Sequence, residues 1–202
     1  LLASLANSAA VGMGAAAAAG IASLIQFEDA FAGVRKTVDA DEAVLQRLSD
    51  SIRDLATELP VAATELARIG ELGGQLGVKT SGLPIFIDTI AKLGVATRLS
   101  TETAALSLAR LQTIFQLPET EIDNLASSLV DLGNNFAALE DEILSTALRL
   151  AAAGKVAGAT AADVFGIATA LQAVGVQSQA GGTAMARVFQ AITIALQGGT
   201  KE

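Results

Sequence analysis

The 202-residue sequence predicts an all-α fold: an array of short helices and helical hairpins joined by glycine-containing turns, behind a long Ala-rich N-terminal helix. Three observations carry this. Apolar residues recur at helical spacing through most of the chain, and no stretch alternates as a half-buried strand would. The pattern apolar-Gly-Val closes three such runs, at Leu76-Gly77-Val78, Leu93-Gly94-Val95 and Val174-Gly175-Val176. Glycine just past a helix can adopt the left-handed conformation that closes the last turn, and the apolar residue after it folds back onto that turn. Finally, hydrophobic residues make up 51% of the chain but aromatic ones only 3%, so the packing material is Ala, Leu, Ile and Val. Helices of that composition approach closely, and each contact buries little area.

The elements follow in order. Residues 1–26 carry no charge and contain Gly14 through Gly20 with five consecutive alanines between. Their length suffices for a bilayer span, but alanine contributes little to insertion, and Gly12, Ala16 and Gly20 form a small-residue stripe suited to helix packing. No basic region leads the segment, so it is not a secretory signal. Residues 27–59 form a second unit of amphipathic or coiled-coil helices. Phe27, Phe31, Val34 and Val38 share one face, Asp39-Ala40-Asp41 supplies a break and an N-cap, and Leu45, Leu48, Ile52, Leu55 and Leu59 recur at three and four residues until Pro60. The charged residues between them, Arg47, Asp50, Arg53 and Asp54, read as a solvated surface.

Residues 60–197 form the compact part, with helical periods at about 62–76, 83–93, 100–115, 119–132, 139–153, 160–174 and 180–196. Ser100 and Thr160 stand as N-caps, and Asp163 three residues after Thr160 completes a capping box. A shift of 81 residues lays Gly73 on Gly154, Gly77 on Gly158, Ile69 on Leu150 and Leu93-Gly94-Val95 on Val174-Gly175-Val176. With a one-residue gap, Thr103-Ala104 falls on Thr183-Ala184, so residues 62–115 and 143–196 read as two copies of one helical unit. Starting at Leu1 and stopping soon after Gly198-Gly199, the chain reads as a piece of something longer.

Composition removes several chemistries. With no Cys and no His, the chain has no thiolate nucleophile, disulfide, imidazole base or Cys/His zinc site. A net charge of −8 opposes the basic footprint that nucleic acid requires. Ala153-Gly154-Lys155-Val156 imitates a phosphate-binding loop, but Val156 replaces the required hydroxyl residue and Arg149 the upstream glycine. Gly12-Met13-Gly14 begins a dinucleotide-like pattern that ends at Ala17 with no strand before it. Glu140-Asp141-Glu142, like Glu119 and Glu121, sits where a helix N-terminus favours acids, and Asn134-Asn135 after Gly133 reads as a turn. The sequence therefore offers no catalytic, cofactor-binding or metal-ligating residues, and an enzyme is not expected.

The order of segments is more specific than any one of them. The series Phe31-Ala32-Gly33-Val34-Arg35-Lys36-Thr37-Val38-Asp39, Leu59-Pro60-Val61, Glu65-Leu66, Gly74-Gln75-Leu76-Gly77-Val78-Lys79-Thr80, Leu93-Gly94-Val95-Ala96-Thr97, Val130 to Phe136 and Ala180-Gly181-Gly182-Thr183-Ala184 resembles the core region of bacteriophage and prophage tail tape measure proteins. That resemblance covers about residues 27–196. It implies a structural virion protein inside the tail tube, whose length sets tube polymerisation and which leaves ahead of the genome, with no catalytic residues to carry over. Implied partners are the tail tube protein, tail tip or baseplate proteins, tail assembly chaperones, the host inner membrane at ejection and further copies of the chain. No specific nucleic-acid contact or cofactor is implied. The rival reading is a membrane-active helical protein, a pore or channel former, acting through residues 1–26.

Overall fold

The computed structural model describes residues 22–198, and all regular structure among them is helical, with no strand. Helix α1 covers residues 22–37, followed by α2 (Glu42–Glu58), α3 (Ala63–Gln75), a short 3-10 turn (Thr80–Gly82) and α4 (Leu83–Ala96). Then come α5 (Thr101–Phe115), α6 (Glu121–Asn135), α7 (Glu140–Val156), α8 (Ala161–Ala173) and α9 (Ser178–Gly198). The small-residue stripe at Gly12, Ala16 and Gly20, and nearly all of the expected Ala-rich N-terminal helix, lie outside the described residues.

Local chemistry sets the helix starts. Asp41 accepts from the Val44 N–H at 2.9 Å and Ser100 from the Thr103 N–H at 3.1 Å, each satisfying a donor the first turn leaves open. Thr160 and Asp163 close the expected box: the Thr160 N–H donates to the Asp163 carboxylate at 2.8 Å, and the Asp163 N–H donates to the Thr160 hydroxyl at 3.1 Å.

Glycine sets the stops at three places among the described residues, two of them, Gly77 and Gly175, as expected. Gly77, Gly158 and Gly175 have φ of 79°, 87° and 77°. After α3 the Val78 N–H bonds the Gly73 carbonyl at 2.9 Å, and after α7 the Ala159 N–H bonds the Gly154 carbonyl at 2.8 Å. The Val176 N–H closes α8 on the Leu171 carbonyl at 3.0 Å, so all three ends use the same motif. Leu93-Gly94-Val95 is not a stop: α4 runs through it to Ala96 and ends at Thr97, whose backbone is extended and whose hydroxyl donates to the Leu93 carbonyl at 2.8 Å. Gly94 instead lets α4 pass Thr101, whose methyl would lie 3.0 Å from an added Cβ. The turn expected at Asn134-Asn135 is also displaced, because α6 continues through both, with the Asn135 side-chain amide donating to the Asp131 carbonyl at 2.8 Å. At the end of α5 the left-handed residue is Gln116, at φ 57°, where no glycine stands.

One hydrophobic core draws side chains from every helix from α1 to α9, among them Phe31, Ile52, Leu66, Phe86, Leu108, Leu129, Leu150, Phe165 and Phe189. Three small positions set how closely helices pair. Gly73 of α3 lies against Leu83 and Phe86 of α4, Gly70 against Ile87, and Gly154 of α7 against Val164 of α8, so α3 with α4 and α7 with α8 form antiparallel hairpins. Helix α9 runs beside α7 in the same direction, with Ser178 at Glu142, Gly182 against Arg149 and Phe189 against Gly154. Phe27 and Phe31 of α1 stack at 5.8 Å, and across the α1–α2 pair the Arg53 guanidinium covers Phe27 at 4.5 Å while pairing Glu28 at 2.7 Å.

Candidate interaction surfaces

The residues that most resemble chemical motifs have packing roles here. Lys155, the lysine of the incomplete phosphate loop, directs its ammonium at the C-terminal end of α5, donating to the Phe115 carbonyl at 3.2 Å and lying 5.9 Å from the Phe115 ring centre. A cation there satisfies an open carbonyl and complements the helix dipole. Glu140, Asp141 and Glu142 occupy the first turn of α7 as expected, and Asp141 accepts from the Glu142 N–H at 2.9 Å. Glu121 stands in the first turn of α6, whereas Glu119 precedes it and reaches across to the 3-10 turn, accepting from the Ser81 hydroxyl at 3.1 Å. Gly12-Met13-Gly14 lies outside the described residues. Among the described residues no group of three or more His, Cys, Asp or Glu is placed to hold a metal, and no helix is long and apolar enough to cross a membrane.

A cleft of about 570 Å³ lies between the α3–α4 connection and the α5–α6 connection. Lys79, Gln112, Gln116 and Glu119 line it. One Glu119 oxygen is buried there without a hydrogen-bond donor, and Lys79, largely exposed, sits 3.8 Å from it. That separation is an ion pair and too long for a hydrogen bond. No nucleophile–base pair converges in this cleft, so its chemistry is that of a polar seam between two turns.

A buried polar network escaped sequence reasoning. Gln172 of α8 donates to the Thr146 hydroxyl of α7 at 2.7 Å and to the Ser178 hydroxyl at the start of α9 at 3.1 Å. Thr146 is fully buried, so this amide fixes the register of three helices at one end of the fold. A lone Gln inside the apolar run Ala170-Leu171-Gln172-Ala173-Val174 was the available signal.

Charge and exposure single out α9. Between Asp163 and Glu202 the sequence has no acidic residue and only two basic ones, Arg187 and Lys201, in a chain whose net charge is −8. Along α9, Ala184, Val188, Ala191 and Ala195 recur at spacings of four, three and four, with Ile192 beside them, and all five are exposed. Phe189 faces the other way, into the core. Helix α5 packs against α3, α4, α6 and α7, whereas α9 packs against α7 and α8. In the register that lays Thr103-Ala104 on Thr183-Ala184, Leu108 corresponds to Val188; Leu108 is 0% exposed and Val188 45%. The sequence held this signal too, in the spacing of those alanines and the loss of acids after Asp163.

Residues 49–202 match the family model described as phage-related minor tail protein. No curated protein and no solved structure matches the chain.

Proposed function

The chain belongs to the phage-related minor tail protein family, and we propose that it serves the tail as a folded module of a tape measure protein. In this reading the whole protein occupies the tail tube lumen, sets how far tube subunits polymerise and is expelled ahead of the genome. It works with tube, tip and assembly-chaperone proteins and performs no catalysis. The observation that carries the reading is the family match over most of the chain, joined to a body whose described residues are all-helical in their regular structure and include an exposed apolar face on α9. Residues 62–115 and 143–196 act as two copies of one unit, supported by the matched ends at Gly77 and Gly158 and the matched close approaches at Gly73 and Gly154.

The module is not itself the ruler. A continuous helix of residues 60–197 would span about 210 Å at 1.5 Å per residue, but these residues fold back at Gly77, Gly158 and Gly175. Its acidic surface repels DNA, which suits a protein that must leave before DNA moves. At ejection the uncharged residues 1–26 meet the host inner membrane.

The test is an in-frame deletion of residues 60–197 in the parent phage or prophage, followed by electron microscopy and mass spectrometry of purified particles. The reading expects the intact protein in tailed particles and a loss of properly formed tails in the deletion. Normal, infectious tails without the segment would refute it.

A further inference from the structure

We propose that the seam between the α3–α4 and α5–α6 connections binds a primary ammonium group on an aliphatic stem, with the Glu119 carboxylate as its acceptor.

One carboxylate oxygen in this seam lacks a donor. Glu119 Oε1 is buried and accepts no hydrogen bond, and the Lys79 ammonium, 3.8 Å away, is held to it by charge alone. An anionic oxygen taken out of water without a donor is costly, and a ligand that brings an N–H recovers that cost. The carboxylate is not able to turn away and find one. Its other oxygen accepts from the Ser81 hydroxyl at 3.1 Å, and the group rests on the bare Cα of Gly82, where an added Cβ would lie 2.8 Å from the Glu119 Cδ. Lys79 does not close the gap, because its side chain is 83% exposed and ordering a long solvated chain offsets the gain.

The surroundings decide the ligand's chemistry. Glu119 repels an anion. A divalent cation needs several oxygen ligands, and among the described residues no group of three or more His, Cys, Asp or Glu is placed to hold a metal. A guanidinium binds a carboxylate best through two parallel bonds to both oxygens, and Ser81 already occupies one of them. An ammonium is a point donor and needs only the oxygen that remains. Beside that oxygen the cleft of about 570 Å³ is lined by Leu76, Val78, Ala109 and Leu117, an apolar wall for an aliphatic stem. Its volume falls in the range of small-ligand sites, about 300–1,000 Å³. Lys79 is then the resident competitor, because its own ammonium stands beside the oxygen the ligand would take. A free aliphatic amine and the lysine side chain of another polypeptide share this chemistry.

Amide NMR titration of the full 202-residue chain with n-butylammonium tests this, with n-butyltrimethylammonium at equal ionic strength as the control. The control has the same stem and charge but no N–H, which separates hydrogen bonding from the general attraction of cations to a chain of net charge −8. The expected result is saturable shifts confined to residues 76–79 and 112–120, with a millimolar Kd, several-fold weaker binding of n-butylguanidinium and no saturation by the control. Glu119→Gln should weaken n-butylammonium binding at least about tenfold, and Lys79→Met should tighten it several-fold. Lys79 is exposed, so its variant keeps the fold and the test stands even where Glu119→Gln fails to fold. Tighter binding of acetyl-Ala-Lys-Ala-amide than of n-butylammonium supports the site with a polypeptide lysine as its source, and the reverse order supports it with a free amine. No saturable shift up to about 50 mM overturns the proposal. So does binding of the control or of n-butylguanidinium as tight as that of n-butylammonium, unchanged affinity in a folded Glu119→Gln chain, or weaker binding in Lys79→Met. None of these outcomes bears on the deletion experiment, which tests the tail role alone.

Discussion

Replacing glycine by alanine should change stability with opposite signs at two positions that are equally open. At Gly158 and at Gly166 an added Cβ would meet nothing within 4 Å, so neither substitution creates a clash. They differ in backbone alone. Gly158 has φ 87°, where a Cβ crowds the neighbouring carbonyl, a strain of about 1–2 kcal/mol. Gly166 lies in the interior of α8, where alanine is favoured over glycine by about 0.5–1 kcal/mol. Part of both effects comes from the unfolded chain, which alanine makes less flexible, and this favours the substitution equally in the two cases. The expected net changes are a loss of about 1 kcal/mol for Gly158→Ala and a gain of about 0.5–1 kcal/mol for Gly166→Ala. Urea unfolding followed by far-ultraviolet circular dichroism resolves them: with a slope of about 2 kcal/mol per molar, the midpoints should move about 0.5 M down and about 0.25–0.5 M up. A neutral or stabilising Gly158→Ala would refute the assignment of that residue as the left-handed end of α7.

Two further outcomes follow from the polar contacts. Gln172→Ala should destabilise by about 1–3 kcal/mol, because it leaves the Thr146 hydroxyl buried without its 2.7 Å donor, and Thr146→Val/Gln172→Leu should recover much of the loss; chemical denaturation of the three variants checks both. Hydrogen bonds from the Thr160 hydroxyl and backbone N–H hold the Asp163 carboxyl below its ordinary value of 3.8. The contribution of the capping box is therefore complete above that value and is lost as pH falls through the lower folded-state value. Stability measured from pH 5 down to pH 2 should decline more steeply in wild type than in Asp163→Asn.

Much of the fold was legible because helix ends here depend on local chemistry. Asp41, Ser100 and Thr160 act within four residues of themselves, so their caps could be read directly, and the 62–76 and 160–174 periods fall within two residues of α3 and α8. Where tertiary packing decided, the sequence misled. Gly94 looks like Gly77 and Gly175 in its neighbours, yet the crossing of α4 by Thr101 uses its lack of a side chain, and the helix continues. Gln116 takes a conformation that favours glycine because its N–H closes α5 on Thr113 and the Leu117 N–H reaches the Gln112 carbonyl, and no composition cue marks that exchange. The exposure of the α9 face was hidden for a related reason, although its apolar spacing and its lack of acids were legible. Its apolar residues fit a helical period whether covered or not, and only the arrangement of helices distinguishes Val188 from the buried Leu108.

Tail length in a phage carrying residues 60–197 twice, in tandem, tests the central claim most directly. A folded module of 138 residues has a radius of gyration of about 14 Å and a diameter of about 40 Å, so tails should lengthen by no more than about 40 Å. Lengthening by about 210 Å, the span of the same residues as one continuous helix, would contradict a folded module and make the segment part of the ruler.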